Sequence, residues 1–119
     1  MDIIFLHGIK ADCVVGVWEW EKQITQKIVV DIDVLADIAK PAATDELEDT
    51  LNYKAMAEQV IDMLESTHFQ LIETMAEAVA QLILEGFGTT WVKVKINKRG
   101  AVKRVDNVGV QIERTAVKD

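Results

Sequence analysis

Four side chains could hold or pass a proton, and all four stand where predicted elements end: Glu21, Tyr53, Glu73 and Lys98. Lys98 follows a run in which Val92, Val94 and Ile96 alternate with Lys93, Lys95 and Asn97. After Lys98-Arg99-Gly100-Ala101 a second alternation begins, with Val108, Val110 and Ile112 against Gly109, Gln111 and Glu113. Period-two alternation predicts half-buried antiparallel strands. An amine at such a strand end is held by a rigid sheet and points into open space, a sensible place for acid–base chemistry. Glu21 falls in the connection of the first hairpin, Tyr53 opens the first helix after Leu51-Asn52, and Glu73 lies in the first turns of the second.

Each residue also has a plainer reading. Glu21 fits a solvated loop charge, and Tyr53 an amphipathic residue packing at a helix start. Glu73 suits a helix N-terminus through the macrodipole alone, and Lys98 could be an edge charge that blocks aggregation. Metal chemistry is not expected. His7 and His68 are the only histidines, neither has a partner at ligand spacing, and zinc needs three or four ligands. Cys13, among valines, reads as a small buried hydrophobe. Gly86-Phe87-Gly88 is too short for a phosphate loop and follows a helix rather than a strand. Trp18, Trp20 and Trp91 read as packing or interface residues.

The elements that must position these groups follow in order. Asp2 to Val17 is strand-like, broken at Gly8 and ending near Gly16, and Gln26 to Ala36 is its hairpin partner. Asp37 to Asp49 is polar, contains Pro41 and predicts a loop or short turn segment. Met56, Val60, Met63 and Leu64 predict a helix from about Asn52 to Ser66. Leu71, Ile72, Met75, Val79, Leu82 and Ile83 predict a second, closed by Gly86 and Gly88. The order β-β-α-α-β-β implies an α+β fold, a four-stranded antiparallel sheet with two helices on one face. Its edge strands are left unpaired, which copies closing edge to edge into a barrel would cure.

Residues 1–119 form one domain, of a length that buries a real core. No apolar run reaches a membrane span, and Met1-Asp2-Ile3-Ile4-Phe5 lacks the basic stretch and cleavage site of a secretory signal. One cysteine fits a reducing cytoplasm. With 13 basic against 20 acidic residues, the chain is a poor generic nucleic-acid binder. Its cations nonetheless cluster, with Lys93, Lys95, Lys98, Arg99, Lys103 and Arg104 close in sequence. Such a patch could hold a small anion, a phosphate or the acidic face of a neighbouring subunit.

Assembled in order, Gly16-Val17-Trp18-Glu19-Trp20-Glu21, Gln26-Lys27, Leu51-Asn52-Tyr53, His68-Phe69-Gln70-Leu71-Ile72-Glu73, Lys98-Arg99-Gly100-Ala101-Val102 and Val108-Gly109-Val110-Gln111-Ile112-Glu113-Arg114 resemble the bacterial dihydroneopterin aldolases nearly end to end. The resemblance implies the tunnelling fold (T-fold), with subunits closing into a β-barrel ring, two tetramer rings stacking as an octamer, and active sites between neighbours. It implies a cytoplasmic lyase of folate biosynthesis that needs no metal or cofactor. In this reading Glu73, helped by the backbone at Ile72, anchors a pterin. Lys98 is the proton donor and acceptor, Tyr53 relays and places the proton, and Glu21 meets the substrate's side chain. Arg99, Lys95 and Lys103 would bring positive charge near Lys98. The family often has proline where Arg99 stands and tyrosine or histidine where Trp18 stands. A dihydroneopterin 2′-epimerase, acting on the free substrate or its triphosphate, and a non-catalytic pterin or purine binder are the alternatives on the same scaffold.

Overall fold

In the computed structural model, which describes residues 2–116, alternation has become a sheet with one apolar face. Strands β1 (Asp2–Cys13), β2 (Gln26–Ala36), β3 (Trp91–Asn97) and β4 (Gly109–Thr115) pair antiparallel in chain order. The register aligns Val30 with Ile96, Ile32 with Val94 and Val34 with Val92, and all six are fully buried. Ile9, Ala11 and Cys13 of β1 continue this face, and Val110 and Ile112 of β4 end it half-buried. β1 stops at Cys13, short of the predicted end near Gly16. Its break falls where predicted, at a bulge between Leu6 and Ile9 in which Gly8 has φ +78°.

Among the described residues there are three α-helices rather than two. The short α1 (Ala39–Thr44) occupies the polar segment read as a loop, with Pro41 in its first turn, where proline costs no hydrogen bond. Helix α2 (Tyr53–Ser66) begins at Asn52, whose side-chain oxygen accepts the Ala55 N–H at 3.0 Å, so its N-cap satisfies an otherwise free donor. Met56, Val60 and Leu64 of α2, and Met75, Ala76, Val79, Ala80 and Ile83 of α3 (Ile72–Gly86), lie on the apolar sheet face. α2 packs on β1, and α3 on β3 and β4.

The helix-free face is charged across its middle. Cross-strand rows run Phe5–Asp33–Lys93–Glu113 and Asp31–Lys95–Gln111. β1 and β4 are the sheet's edges, each paired on one side only among the described residues. No helix of the described residues is long and apolar enough to cross a membrane.

Candidate active site

The carboxyl end of β1, the start of β2, the end of β3 and the N-terminus of α3 converge at one end of the sheet. Past β1, the chain turns across to the helix layer. Gly16 N–H donates to the Phe69 carbonyl at 3.0 Å, and Val15 and Phe69 form a short parallel bridge. That bridge fixes the start of α3 beside the β1–β2 connection. The chain then forms a 3-10 turn over Glu21–Gln23 that carries Glu21 inward.

Glu21 is only 5% exposed, although the surrounding sequence reads as a solvated loop. Two features make its burial possible. Gly16 lacks the Cβ that would stand 2.3 Å from the Glu21 carboxyl carbon, and its φ of +132° is one that glycine alone adopts readily. Both carboxylate oxygens also accept donors. Its Oε2 accepts Lys98 Nζ at 2.6 Å and Gln26 Nε2 at 3.3 Å, and its Oε1 accepts the Trp18 N–H at 3.4 Å. The Lys98 hydrogen bond, aided by those of Gln26 and Trp18, outweighs desolvation and holds the Glu21 carboxyl below its ordinary value. Gln26 is itself tied to the Val15 carbonyl at 2.8 Å.

Lys98 does not point into open space, as its strand-end position suggested; its side chain is 15% exposed and turned onto Glu21. A long connection from β3 to β4 allows this. Lys98 N–H still donates to the Val108 carbonyl at 2.7 Å, and Ala101 N–H returns to the Lys98 carbonyl at 3.2 Å, closing a turn in which Gly100 has φ +77°. The charge that meets Lys98 is therefore a carboxylate. Arg99 and Lys103 are exposed on the turn, and Lys95 projects from β3 elsewhere.

Val15, Gly16, Trp18, Trp20, Glu21, Gln26, Leu71, Ile72, Glu73, Lys98 and Gly100 are among the walls of an open cleft of about 350 Å³. Glu73 stands in the first turn of α3 with its side chain exposed. Among the described residues no side chain caps this helix, and the first backbone donor returned within it is that of Met75, so the N–H groups of Ile72 and Glu73 face the cleft without a partner there. The cleft thus pairs an acceptor carboxylate and free amides on one wall with an amine–carboxylate couple on the other. A flat, hydrogen-bonding heterocycle fits the first wall, and proton transfer fits the second.

Four of the five predicted site residues, Glu21, Ile72, Glu73 and Lys98, meet in this cleft. Tyr53 does not line it. It is 54% exposed at the start of α2, whereas Glu65, near the other end of that helix, accepts the Asp12 N–H at the cleft end of β1. Twelve residues of helix separate the two, about 18 Å. Gln26 and Gly16 were quoted in the resemblance but given no role; the signal that could have singled out Gly16 is its place before a glutamate five residues on. Trp18 and Trp20, read from the sequence as packing or interface residues, are 64% and 62% exposed at the cleft wall.

The family model for FolB, dihydroneopterin aldolase, matches residues 4–113. The dihydroneopterin aldolase of Escherichia coli (strain K12) is 44% identical over 96% of this chain and 93% of its own length. The crystal structure of the E. coli dihydroneopterin aldolase in complex with neopterin superposes with a TM-score of 0.93, covering 96% of this chain and 99% of that one. A segment comprising 18% of the folic acid synthesis protein FOL1 of Dictyostelium discoideum is 35% identical over 97% of this chain.

Proposed function

The chain belongs to the dihydroneopterin aldolase family, lyases of folate biosynthesis with the T-fold, and on that premise we propose how its cleft cuts 7,8-dihydroneopterin into 6-hydroxymethyl-7,8-dihydropterin and glycolaldehyde. The observation that carries the mechanism is the 2.6 Å contact of Lys98 Nζ with Glu21, set across one cleft from Glu73. Glu73 accepts the 2-amino and N3–H donors of the pterin, two parallel donors for two oxygens, and the Ile72 backbone supports the same edge. The side chain of the substrate then extends toward Lys98.

The substrate brings its own electron sink, the N5=C6 imine next to the carbon bearing the 1′-hydroxyl. Loss of the 2′-hydroxyl proton lets the C1′–C2′ bond break. Its electrons form a C1′=C6 bond, N5 takes a proton, and glycolaldehyde departs. The enol is then protonated at C1′ while N5 gives up its proton, so that no net proton is gained or lost. Lys98 and Glu21 act together in these transfers. An amine in contact with a carboxylate accepts a proton as one of its own passes to the carboxylate, so the couple behaves as a single acid–base unit. Tyr53 of a neighbouring copy completes the relay at C1′. Neither a metal nor a Schiff base takes part.

The reading includes closure of several copies into a barrel ring, tetramers stacking as an octamer in the cytoplasm. Its support is the pair of open edges, β1 and β4, which run antiparallel to one another. Dihydroneopterin incubated with the purified protein and resolved by chromatography tests the chemistry. Hydroxymethyldihydropterin with glycolaldehyde is expected. Dihydromonapterin as the dominant product would reassign the chain as a 2′-epimerase, which recombines the same fragments, and binding without turnover would make it a pterin binder.

A further inference from the structure

Beyond Lys98 the cleft wall runs into a turn whose cations stand where the backbone favours other residues. Gly100 and Ala101 line the cleft, and Arg99, between Lys98 and Gly100, is exposed. Two four-residue turns follow one another. Ala101 N–H donates to the Lys98 carbonyl at 3.2 Å, and Val105 N–H to the Val102 carbonyl at 3.1 Å. The third residue of each has a positive φ, +77° at Gly100 and +69° at Arg104, whereas the second does not. That pattern favours proline in second place and glycine in third. Only Gly100 obeys it. Arg99 takes the second place of the first turn, and Lys103 and Arg104 take the second and third of the next. A merely solvated turn would hold proline and glycine there at lower conformational cost. Arg99, Lys103 and Arg104 are all exposed and have no ion-pair partner among the described residues. Asp106 is the one carboxylate between Arg99 and Asn107, so a chain of net charge −7 is locally positive beside its cleft.

We propose that this turn is a phosphate subsite, and that the chain cleaves 7,8-dihydroneopterin carrying phosphate on its 3′-hydroxyl in preference to the free compound. The proposal rests on the aldolase reading above and extends its substrate class. In that reading the substrate's side chain runs from Glu73 toward Lys98 and brings the 2′-hydroxyl to the amine. The 3′-carbon comes next and its oxygen ends the side chain. A group carried on that oxygen therefore lies against the wall that Gly100 and Ala101 continue from Lys98. The cleft is open there, so a bulky polar group can extend into solvent rather than be buried. Arginine presents a planar fork that matches phosphate oxygens two at a time, and lysine adds a mobile point charge. Arg99, Lys103 and Arg104 supply both kinds of partner.

The bond changes are those of the free substrate. The 2′-hydroxyl loses its proton, the C1′–C2′ bond breaks, its electrons form C1′=C6, and N5 takes a proton. Protonation at C1′ with loss of the N5 proton then gives 6-hydroxymethyl-7,8-dihydropterin. The phosphate ester stays on the departing fragment, which leaves as glycolaldehyde phosphate. No phosphoryl group is transferred and no co-reactant is consumed. The heterocyclic product is the same from either substrate, so the subsite changes which molecule enters and leaves the product unchanged.

The test compares 7,8-dihydroneopterin with its 3′-monophosphate and 3′-triphosphate on the full-length protein, with products resolved by chromatography. At low salt the phosphorylated substrates are expected to give a kcat/KM at least about tenfold higher, with glycolaldehyde phosphate or its triphosphate as the second product. Raising the salt to about 0.3 M should shrink that advantage at least about threefold, while the uncharged substrate changes little. R99P/R104G removes two cations and puts the favoured residue types into both turns, so its Tm should not fall. It is expected to lose most of the advantage and keep its kcat/KM for dihydroneopterin within about twofold. Equal kcat/KM for free and phosphorylated substrates in the wild type overturns the subsite, as does an advantage that survives high salt or R99P/R104G. Wild-type protein that cleaves none of the three would instead defeat the aldolase reading. Equilibrium binding of neopterin against neopterin 3′-triphosphate then decides the subsite alone: tighter, salt-sensitive binding of the triphosphate upholds it, and equal affinity overturns it.

Discussion

Gly16→Ala is a mutation remote in sequence from Lys98 that should disable it. A Cβ on residue 16 would lie 2.3 Å from both the carboxyl carbon and Oε1 of Glu21, and 2.5 Å from Oε2. Van der Waals contact requires about 3.4 Å, so the carboxylate must retreat by roughly 1 Å. It is held by Lys98 at 2.6 Å, Gln26 at 3.3 Å and Trp18 at 3.4 Å. A shift of that size breaks the two longer bonds and lengthens or breaks the first. Charged hydrogen bonds contribute about 1.5–3 kcal/mol each, and forcing alanine to a positive φ costs about 1–3 kcal/mol. Some of this returns as the freed carboxylate gains water, leaving a net loss of about 2–4 kcal/mol. At fixed protein concentration the Tm should fall by about 8–20 °C. Misplacing a catalytic group by 1 Å costs about 10²-fold in rate, so kcat/KM should drop about a hundredfold while pterin affinity, set by Glu73, changes little. Calorimetry, steady-state kinetics and equilibrium binding of neopterin read the three quantities. A Tm within 2 °C of wild type, with kcat/KM within about twofold, would refute the claim that Gly16 exists to admit the Glu21 carboxylate.

Other expectations follow from the same geometry. Lys98→Ala should remove most turnover and leave neopterin binding largely intact; near-wild-type turnover would remove Lys98 from the chemistry. Glu73→Gln should weaken pterin binding by about tenfold or more, because one acceptor oxygen becomes a donor facing donors; unchanged affinity in a titration would place the pterin elsewhere. The Lys98 hydrogen bond holds the Glu21 carboxyl below its ordinary value in the folded chain. Its contacts therefore add stability above about pH 4.5 and lose it as pH falls through the lower folded value. The urea-unfolding gap between wild type and Glu21→Gln should be widest near neutral pH and close in acid; a gap that widened in acid would reverse the sign. Chelator treatment should leave the turnover unchanged, and a loss restored by a divalent cation would bring a metal into the mechanism.

Much of the scaffold was legible because its periods are clean. Ile28, Val30, Ile32 and Val34 alternate without interruption, and Met56, Val60 and Leu64 recur every four residues, so periodicity alone marks the strand and helix faces. α1 was not legible: Pro41 and the surrounding polar residues carry turn signals, and proline in a first turn looks the same in sequence as proline in a loop. The site was half legible. Glu73 and Lys98 occupy element ends, which periodicity locates. The burial of Glu21 was hidden, since Glu19, two residues earlier, has a side chain 88% exposed and that of Glu21 is 7% exposed. Nothing local separates them. The difference comes from Gly16 and Gln26, each five residues from Glu21, and from Lys98, seventy-seven residues away. Lys98 was misjudged for the same reason, because a strand-end amine looks exposed until the loop that covers it is folded. Tyr53 is the complementary case: its sequence signal is strong, and its own chain keeps it out of the cleft.

The proposed chemistry requires a pterin lying between Glu73 and Lys98. A crystal structure of the protein with neopterin tests this most directly. The expected complex has the 2-amino and N3 edge on the Glu73 carboxylate, the side-chain hydroxyls within hydrogen-bond reach of Lys98 Nζ, and a neighbour's Tyr53 beside them. Neopterin bound with its side chain turned away from Lys98, or on a surface lacking Glu73, would contradict it.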